Sequence, residues 1–144
     1  MKSLLTFLFS LILTISAFCQ IQHPDKFFPE KLGDHFYPHH LIIDYFEQIA
    51  ANSDKVQLVE YGRTNQNRPL VLAYISTAEN IANLETIRTN NLKRTGLVEG
   101  SASVDDKAIV WLSFAVHGNE ASSPNAAVKT LYELTNNILM IILV

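Results

Sequence analysis

The sequence is poor in cysteine, in clustered positive charge and in long apolar runs, and each shortage removes a class of protein. Its single cysteine, Cys19, lies close to the N-terminus, so nothing beyond it can build a disulfide framework. Lysine and arginine number 11 against 14 aspartates and glutamates, giving a formal net charge of −3. Lys93-Arg94 is the one basic cluster, and this balance gives no support for nucleic-acid binding. There are no internal repeats and no linker-like stretch. One apolar run stands out, from Ser3 to Phe18 behind Lys2, and it is too short and wrongly flanked to span a bilayer.

That first segment, residues 1–19, has the build of a secretory signal peptide. Ala17 and Cys19 occupy the positions that signal peptidase wants small, so cleavage is expected before Gln20. The exported chain then holds no cysteine, and its net charge moves from −3 to −4 because Lys2 is the only charge lost. Lipidation of Cys19 is the rival reading, and the bulk of Phe18 before it argues against that anchor.

Residues 20–37 are rich in Pro, His and Phe without a clear period and read as an extended N-terminal arm. His23, His35, His39 and His40 lack an ordered ligand spacing, so solvated loop histidines are expected rather than a metal cluster. From Pro38 the pattern becomes helical. Ile42, Tyr45, Phe46, Ile49 and Ala50 form an apolar stripe, with the helix ending near Asn52-Ser53. "VQLVEYG" (56–62) and "PLVLAYIS" (69–76) read as two strands of an antiparallel hairpin with a longer loop. Ser76 and Glu79 have the spacing of a capping box, opening a helix through Ile81, Leu84, Ile87 and Leu92 that Gly96 terminates. A polar surface loop follows over 97–107.

"AIVWLSFAV" (108–116) is apolar at nearly every position, the pattern of a central strand buried on both faces. It runs directly into His117-Gly118-Asn119-Glu120. Ser123 is placed to cap the next helix, with Pro124 in its first turn and Val128, Leu131 and Tyr132 facing inward. The expected fold is α/β, a mixed sheet covered by helices.

His117 and Glu120, three residues apart, are close enough to converge on one metal ion, and zinc takes nitrogen and oxygen ligands of this kind. Gly118 lets the backbone leave the strand sharply. The carboxyl end of a central strand is also where open α/β sheets place ligands. The bland alternative stays open: His117 ends the strand, and Glu120 is favoured by the dipole at a helix start. Alone, the H-x-x-E spacing is weak; strand, small-residue turn and capped helix together strengthen it.

With these elements in order, the chain resembles a zinc carboxypeptidase of the carboxypeptidase A-like metallopeptidase family, from about residue 38 to about residue 135. The resemblance rests on "YGRTNQNRPLVLAYIS", where Gly62, Thr64, Arg68 and Pro69 follow the family's Gly-x-Ser/Thr-x-x-x-Arg-Pro pattern. It rests also on the "STAENIANLETIRTNN" helix and on "WLSFAVHGNEASSPNA". It makes His117 and Glu120 the first two ligands of Zn2+, peptides or proteins the substrates, and hydrolysis by a zinc-activated water the reaction. Residues 38–144 then form the N-terminal portion of the catalytic domain. Where members often carry a substrate-binding arginine between the ligands, this chain has Asn119, so a preference for a free C-terminal residue does not carry over. Arg68 is expected to bond backbone carbonyls in the hairpin loop.

The family completes its site with a third, histidine ligand, an oxyanion-stabilising arginine and a general-base glutamate. After residue 120 the sequence offers no histidine, no arginine and one carboxylate, Glu133, expected to be a solvated helix charge. No catalytic residue is therefore assigned. "ILMIILV" closes the sequence as an uncharged β-prone stretch, read as a sheet strand or an aggregation hazard. The expectation is an exported zinc metallocarboxypeptidase present as a truncated and inactive fragment. The alternative is a secreted non-catalytic binding module whose apolar C-terminal strand pairs with a partner.

Overall fold

A computed structural model describes residues 21–103, 107–137 and 142–143. The signal peptide, its cleavage point, Cys19 and most of "ILMIILV" lie outside the described residues. Helix α1 spans Pro24–Phe27 and α2 spans His39–Ala51; strands β1 (Val56–Arg63) and β2 (Pro69–Ile75) follow. Then come α3 (Ala78–Ala82), α4 (Leu84–Arg94), β3 (Ile109–Val110), α5 (Ser123–Asn136) and β4 (Ile142–Leu143). No described helix is long and apolar enough to cross a membrane.

The fold is α/β, as the pattern predicts. β1 and β2 pair antiparallel from Val56↔Ile75 to Arg63↔Pro69, with an irregularity between Glu60 and Gly62 that leaves Tyr61 outside the ladder. β3 and β4 pair in parallel, Ile109 with Ile142 and Val110 with Leu143, and β4 also lies close to β2. The strands thus form two separate two-stranded sheets, one antiparallel and one parallel.

The core forms where α2, α5 and the hairpin meet. The stripe expected on α2 is the buried one: Tyr45 and Ile49 are fully enclosed and Ile42 nearly so, beside Val56, Ile75, Val128 and Leu131. Such a stripe folds reliably because its helix satisfies its own backbone and needs cover on one side only. The N-terminal arm lies over this core. It is not simply extended, since His23 Nδ1 accepts the Asp25 N–H at 3.2 Å and starts the single turn of α1. Phe28 stacks on Tyr37 at 4.3 Å and is buried, and the Tyr45 hydroxyl donates to the Gln22 carbonyl at 3.0 Å. Burial, with Tyr132 nearby, pushes the Tyr45 phenol above its ordinary range. His35 bonds Glu30 at 2.8 Å, while His39 and His40 open α2.

The expected helix after β2 is two helices. Thr77 caps the first through the Asn80 N–H at 3.2 Å, and Asn83 ends it and begins the second. Ser76 is buried instead of capping, its hydroxyl accepting from Asn80 Nδ2 at 2.8 Å. Gly96 does terminate α4. Its φ of 74° permits the paired bonds Gly96 N–H to Lys93 C=O at 3.2 Å and Leu97 N–H to Leu92 C=O at 2.9 Å.

The hairpin loop assigns its motif differently from expectation. Thr64 Oγ1 accepts the N–H groups of Gln66 (3.3 Å) and Arg68 (3.1 Å), which explains why a hydroxyl residue suits that position. Arg63, not Arg68, bonds a backbone carbonyl, that of Asn67 at 3.0 Å, while its guanidinium also grips Glu60 at 2.7 and 2.9 Å. Arg68 makes no side-chain bond among the described residues and is exposed to solvent.

The largest correction concerns residues 108–116. Only Ile109–Val110 forms a strand, and the run is open to solvent: Trp111 is 65% exposed and Val116 67%. A strand, unlike a helix, takes its hydrogen bonds and its cover from neighbours. Here the described residues provide one two-residue partner, so apolarity alone does not bury the run.

Candidate metal centre

The segment leading to His117 is held by its backbone. Ala115 has a φ of 55°, a left-handed conformation that disfavours a residue with a Cβ by roughly 1–2 kcal/mol. Its N–H donates to Ser123 Oγ at 2.6 Å, which fixes the approach to the turn against the start of α5. The sharp reversal expected at Gly118 therefore falls at Ala115. Gly118 has no positive φ, and a Cβ built there would meet nothing within 4 Å.

Two consecutive turns carry the chain into α5. Glu120 N–H donates to the His117 carbonyl at 3.2 Å, and Ser123 N–H donates to the Glu120 carbonyl at 3.1 Å. Closing a turn over four residues puts its first and last side chains on one side. His117 Nδ1 and Glu120 Oε1 accordingly meet at 3.0 Å. The ring and carboxylate are 71% and 53% exposed, so as a plain ion pair the contact adds little stability.

Ser123 is tied to Ala115 and does not cap α5. The preceding residue, Ser122, takes the cap position without a side-chain bond, and Pro124 sits in the first turn as expected. Deeper in the helix, Asn125 Nδ2 donates to the His35 carbonyl at 2.7 Å and joins the arm to this end of the molecule. Hydropathy gives no hint of the Ser123–Ala115 bond; only the serine pair before Pro124 points to a capped turn.

The donors suit zinc. Imidazole nitrogen and carboxylate oxygen are both ligands it takes at about 2.0–2.2 Å, and tetrahedral angles would hold two such atoms about 3.4 Å apart. The observed 3.0 Å needs only a small opening of the pair. Both side chains are accessible, and the turn orders them without any metal. Among the described residues no group of three His, Cys, Asp or Glu side chains surrounds a common point, so no third donor accompanies the pair. Asn119 lies exposed between them in sequence, and Glu133 is exposed on α5, bonded by Asn137 Nδ2 at 2.8 Å.

Comparison with known families gives one match. The family described as zinc carboxypeptidase matches residues 42–139, which takes in the hairpin motif, the helices after it and the His117–Glu120 turn. No curated protein and no solved structure matches the chain. The match covers well over half of the sequence and spans both motifs in order; the chain belongs to the zinc carboxypeptidase family.

Proposed function

We propose that this chain carries the first half of a zinc metallocarboxypeptidase site, in which His117 Nδ1 and Glu120 Oε1 hold Zn2+ for the hydrolysis of peptide bonds. One observation carries the reading: the two side chains converge at 3.0 Å on a preformed, accessible turn within the family match. When bound, zinc supplies a lowered water pKa and a polarised substrate carbonyl. The residues present do the holding. The Ala115–Ser123 bond and the two turns fix the approach of His117 and Glu120, so little ordering is left for metal uptake. Asn119 presents an exposed neutral amide between the two residues in sequence. It can donate to a peptide carbonyl, but it lacks the charge and the bidentate fork with which arginine clamps a carboxylate.

Third ligand, oxyanion stabiliser and general base have no counterpart in residues 121–144. The 144-residue chain therefore takes up zinc weakly and turns over no peptide. Export with cleavage before Gln20 belongs to the same proposal, and N-terminal sequencing of the secreted product tests it. For the site, metal uptake is measured on the purified chain and on His117→Ala and Glu120→Gln. Each substitution is expected to reduce binding at least tenfold; unchanged uptake by both variants overturns the metal assignment. Measurable peptide hydrolysis by the unmodified chain overturns the inactive reading.

A second reading, a secreted binding module without catalysis, is favoured by one feature, the exposed apolar run at Ile109–Leu112. Unchanged zinc uptake in His117→Ala would turn the choice toward it.

A further inference from the structure

One buried side chain ties two distant parts of the chain together. Asn125, 7% exposed in the first turn of α5, donates from Nδ2 to the His35 carbonyl at 2.7 Å across 90 residues of sequence. The acceptor is itself held. The Tyr37 hydroxyl donates to the Glu30 carbonyl at 2.6 Å, the Glu30 carboxylate meets the His35 ring at 2.8 Å, and Phe28 stacks on Tyr37 over the core. The other amide atom of Asn125, Oδ1, is buried with no hydrogen-bond partner among the described residues. A half-satisfied buried amide adds little stability, because the orphaned acceptor offsets the one bond made. A leucine of similar size would fill the same space without the orphan. Stability alone is a poor account of this asparagine.

The same helical turn carries a second tie. Ser123 Oγ accepts the Ala115 N–H at 2.6 Å, and the Ser123 N–H donates to the Glu120 carbonyl at 3.1 Å. Ser123 therefore holds both ends of the segment that bears His117. Between Ser123 and Asn125 stands Pro124, whose ring fixes the backbone and keeps the two residues in one orientation. The helix begins without a side-chain cap, and its first buried apolar residue is Val128, a turn further on. An uncapped first turn frays unless something outside the helix holds it. Asn125 supplies that hold from the arm.

We propose that Asn125 is a positioning residue: the docked N-terminal arm, acting through the first turn of α5, sets the order of the His117–Glu120 turn. The arm is then a strap. Freeing it from α5 slackens the turn although every residue of the turn is intact. Coupling of this kind is reciprocal, so loosening the turn at Ser123 slackens the arm. The inference concerns the same turn as the metal reading but not the metal, so each can fail without the other.

The test compares the unmodified chain with Asn125→Leu and Ser123→Ala, reading backbone order parameters by NMR relaxation and stability by urea titration. In the unmodified chain residues 32–37 and 115–120 are expected near the rigid value of about 0.85. Asn125→Leu is expected to bring both segments below about 0.6 and to abolish the NMR contact between the His117 ring and the Glu120 side chain. β1 and β2 should stay rigid, and the urea midpoint should hold or rise as the orphaned acceptor goes. Ser123→Ala is expected to slacken both segments as well. An Asn125→Leu chain with a loose arm and a rigid 115–120 segment overturns the proposal, since the bond would then be local. A lowered urea midpoint with order lost across β1 and β2 overturns it too, and marks Asn125 as a packing residue. Should the leucine variant fail to fold, Ser123→Ala decides alone: an arm that stays rigid in it overturns the coupling.

Discussion

Helix α2 and the run from Ala108 to Val116 are both apolar segments, and they finish in opposite environments. Ile49 on α2 is fully buried, whereas Trp111, the largest side chain in the protein, keeps 65% of its surface in solvent. The helix closes its own hydrogen bonds and asks the rest of the molecule for one covering layer, which α5 and β1 provide. The run asks for partners on two edges and cover on two faces, and the described residues give it β4 alone. Apolarity measures what a segment would gain from burial; backbone hydrogen bonding decides what must be present before burial can happen.

The strongest way to break this comparison is through Ile49. Ile49→Ala removes buried methyl groups from a site packed between α2, α5 and the hairpin, and should destabilise the chain by about 2–5 kcal/mol. For a domain of this size the melting temperature should fall by on the order of 10 °C. Denaturant titration measures it. A loss under about 1 kcal/mol would mean that the α2 face is not the core, and the contrast with the run would fail.

Tyr45→Phe sharpens the comparison at an intermediate scale. The substitution keeps the buried ring and removes the hydroxyl that donates to the Gln22 carbonyl at 3.0 Å, a cost of about 1 kcal/mol. It should also change the alkaline limb of stability. The phenol is raised in the folded state, so above about pH 10 the unfolded chain releases its proton while the folded chain keeps it. Fewer protons on the unfolded state make stability fall as pH rises. Tyr45's share of stability is complete below about pH 10 and is lost as pH climbs from there toward the raised folded-state value. In Tyr45→Phe that part of the decline should vanish, whatever the other tyrosines contribute. Equal alkaline slopes for the two proteins would show that the hydroxyl is not enclosed.

What was legible in the sequence follows the same physical line. The stripe on α2, the hairpin, the Gly96 stop and the His117–Glu120 spacing are local patterns whose geometry needs no distant partner, and the structure contains each of them. The places where sequence reasoning went astray depend on the environment. Ser76 has capping spacing but is drawn inward to Asn80, leaving Thr77 to cap. Arg63 and Arg68 both flank the hairpin loop, and only the path of the loop decides which one reaches the Asn67 carbonyl. Gly118 offered the freer backbone, yet the left-handed residue is Ala115, where the Ser123 hydroxyl receives its N–H. For the site, spacing was enough to find the pair, while the bond that holds its approach is a contact eight residues long with no periodic trace.

The smallest expected effect is the most telling one for the run. Trp111→Ser discards the largest apolar side chain in the molecule, and in the core such a change would cost about 3–5 kcal/mol. At 65% exposure most of that surface is already in water in the folded state, so unfolding gains little from exposing the rest. In dilute, zinc-free solution the stability should therefore stay within about 0.5 kcal/mol of the unmodified chain. Solubility should rise, because an open, uncharged, β-prone stretch loses its main adhesive group. Chemical denaturation at two protein concentrations separates these effects, since folding stability of a monomer does not depend on concentration and association does. A loss of more than about 2 kcal/mol at both concentrations would mean that Trp111 is packed within the single chain, and the run would then be the second core its sequence first suggests.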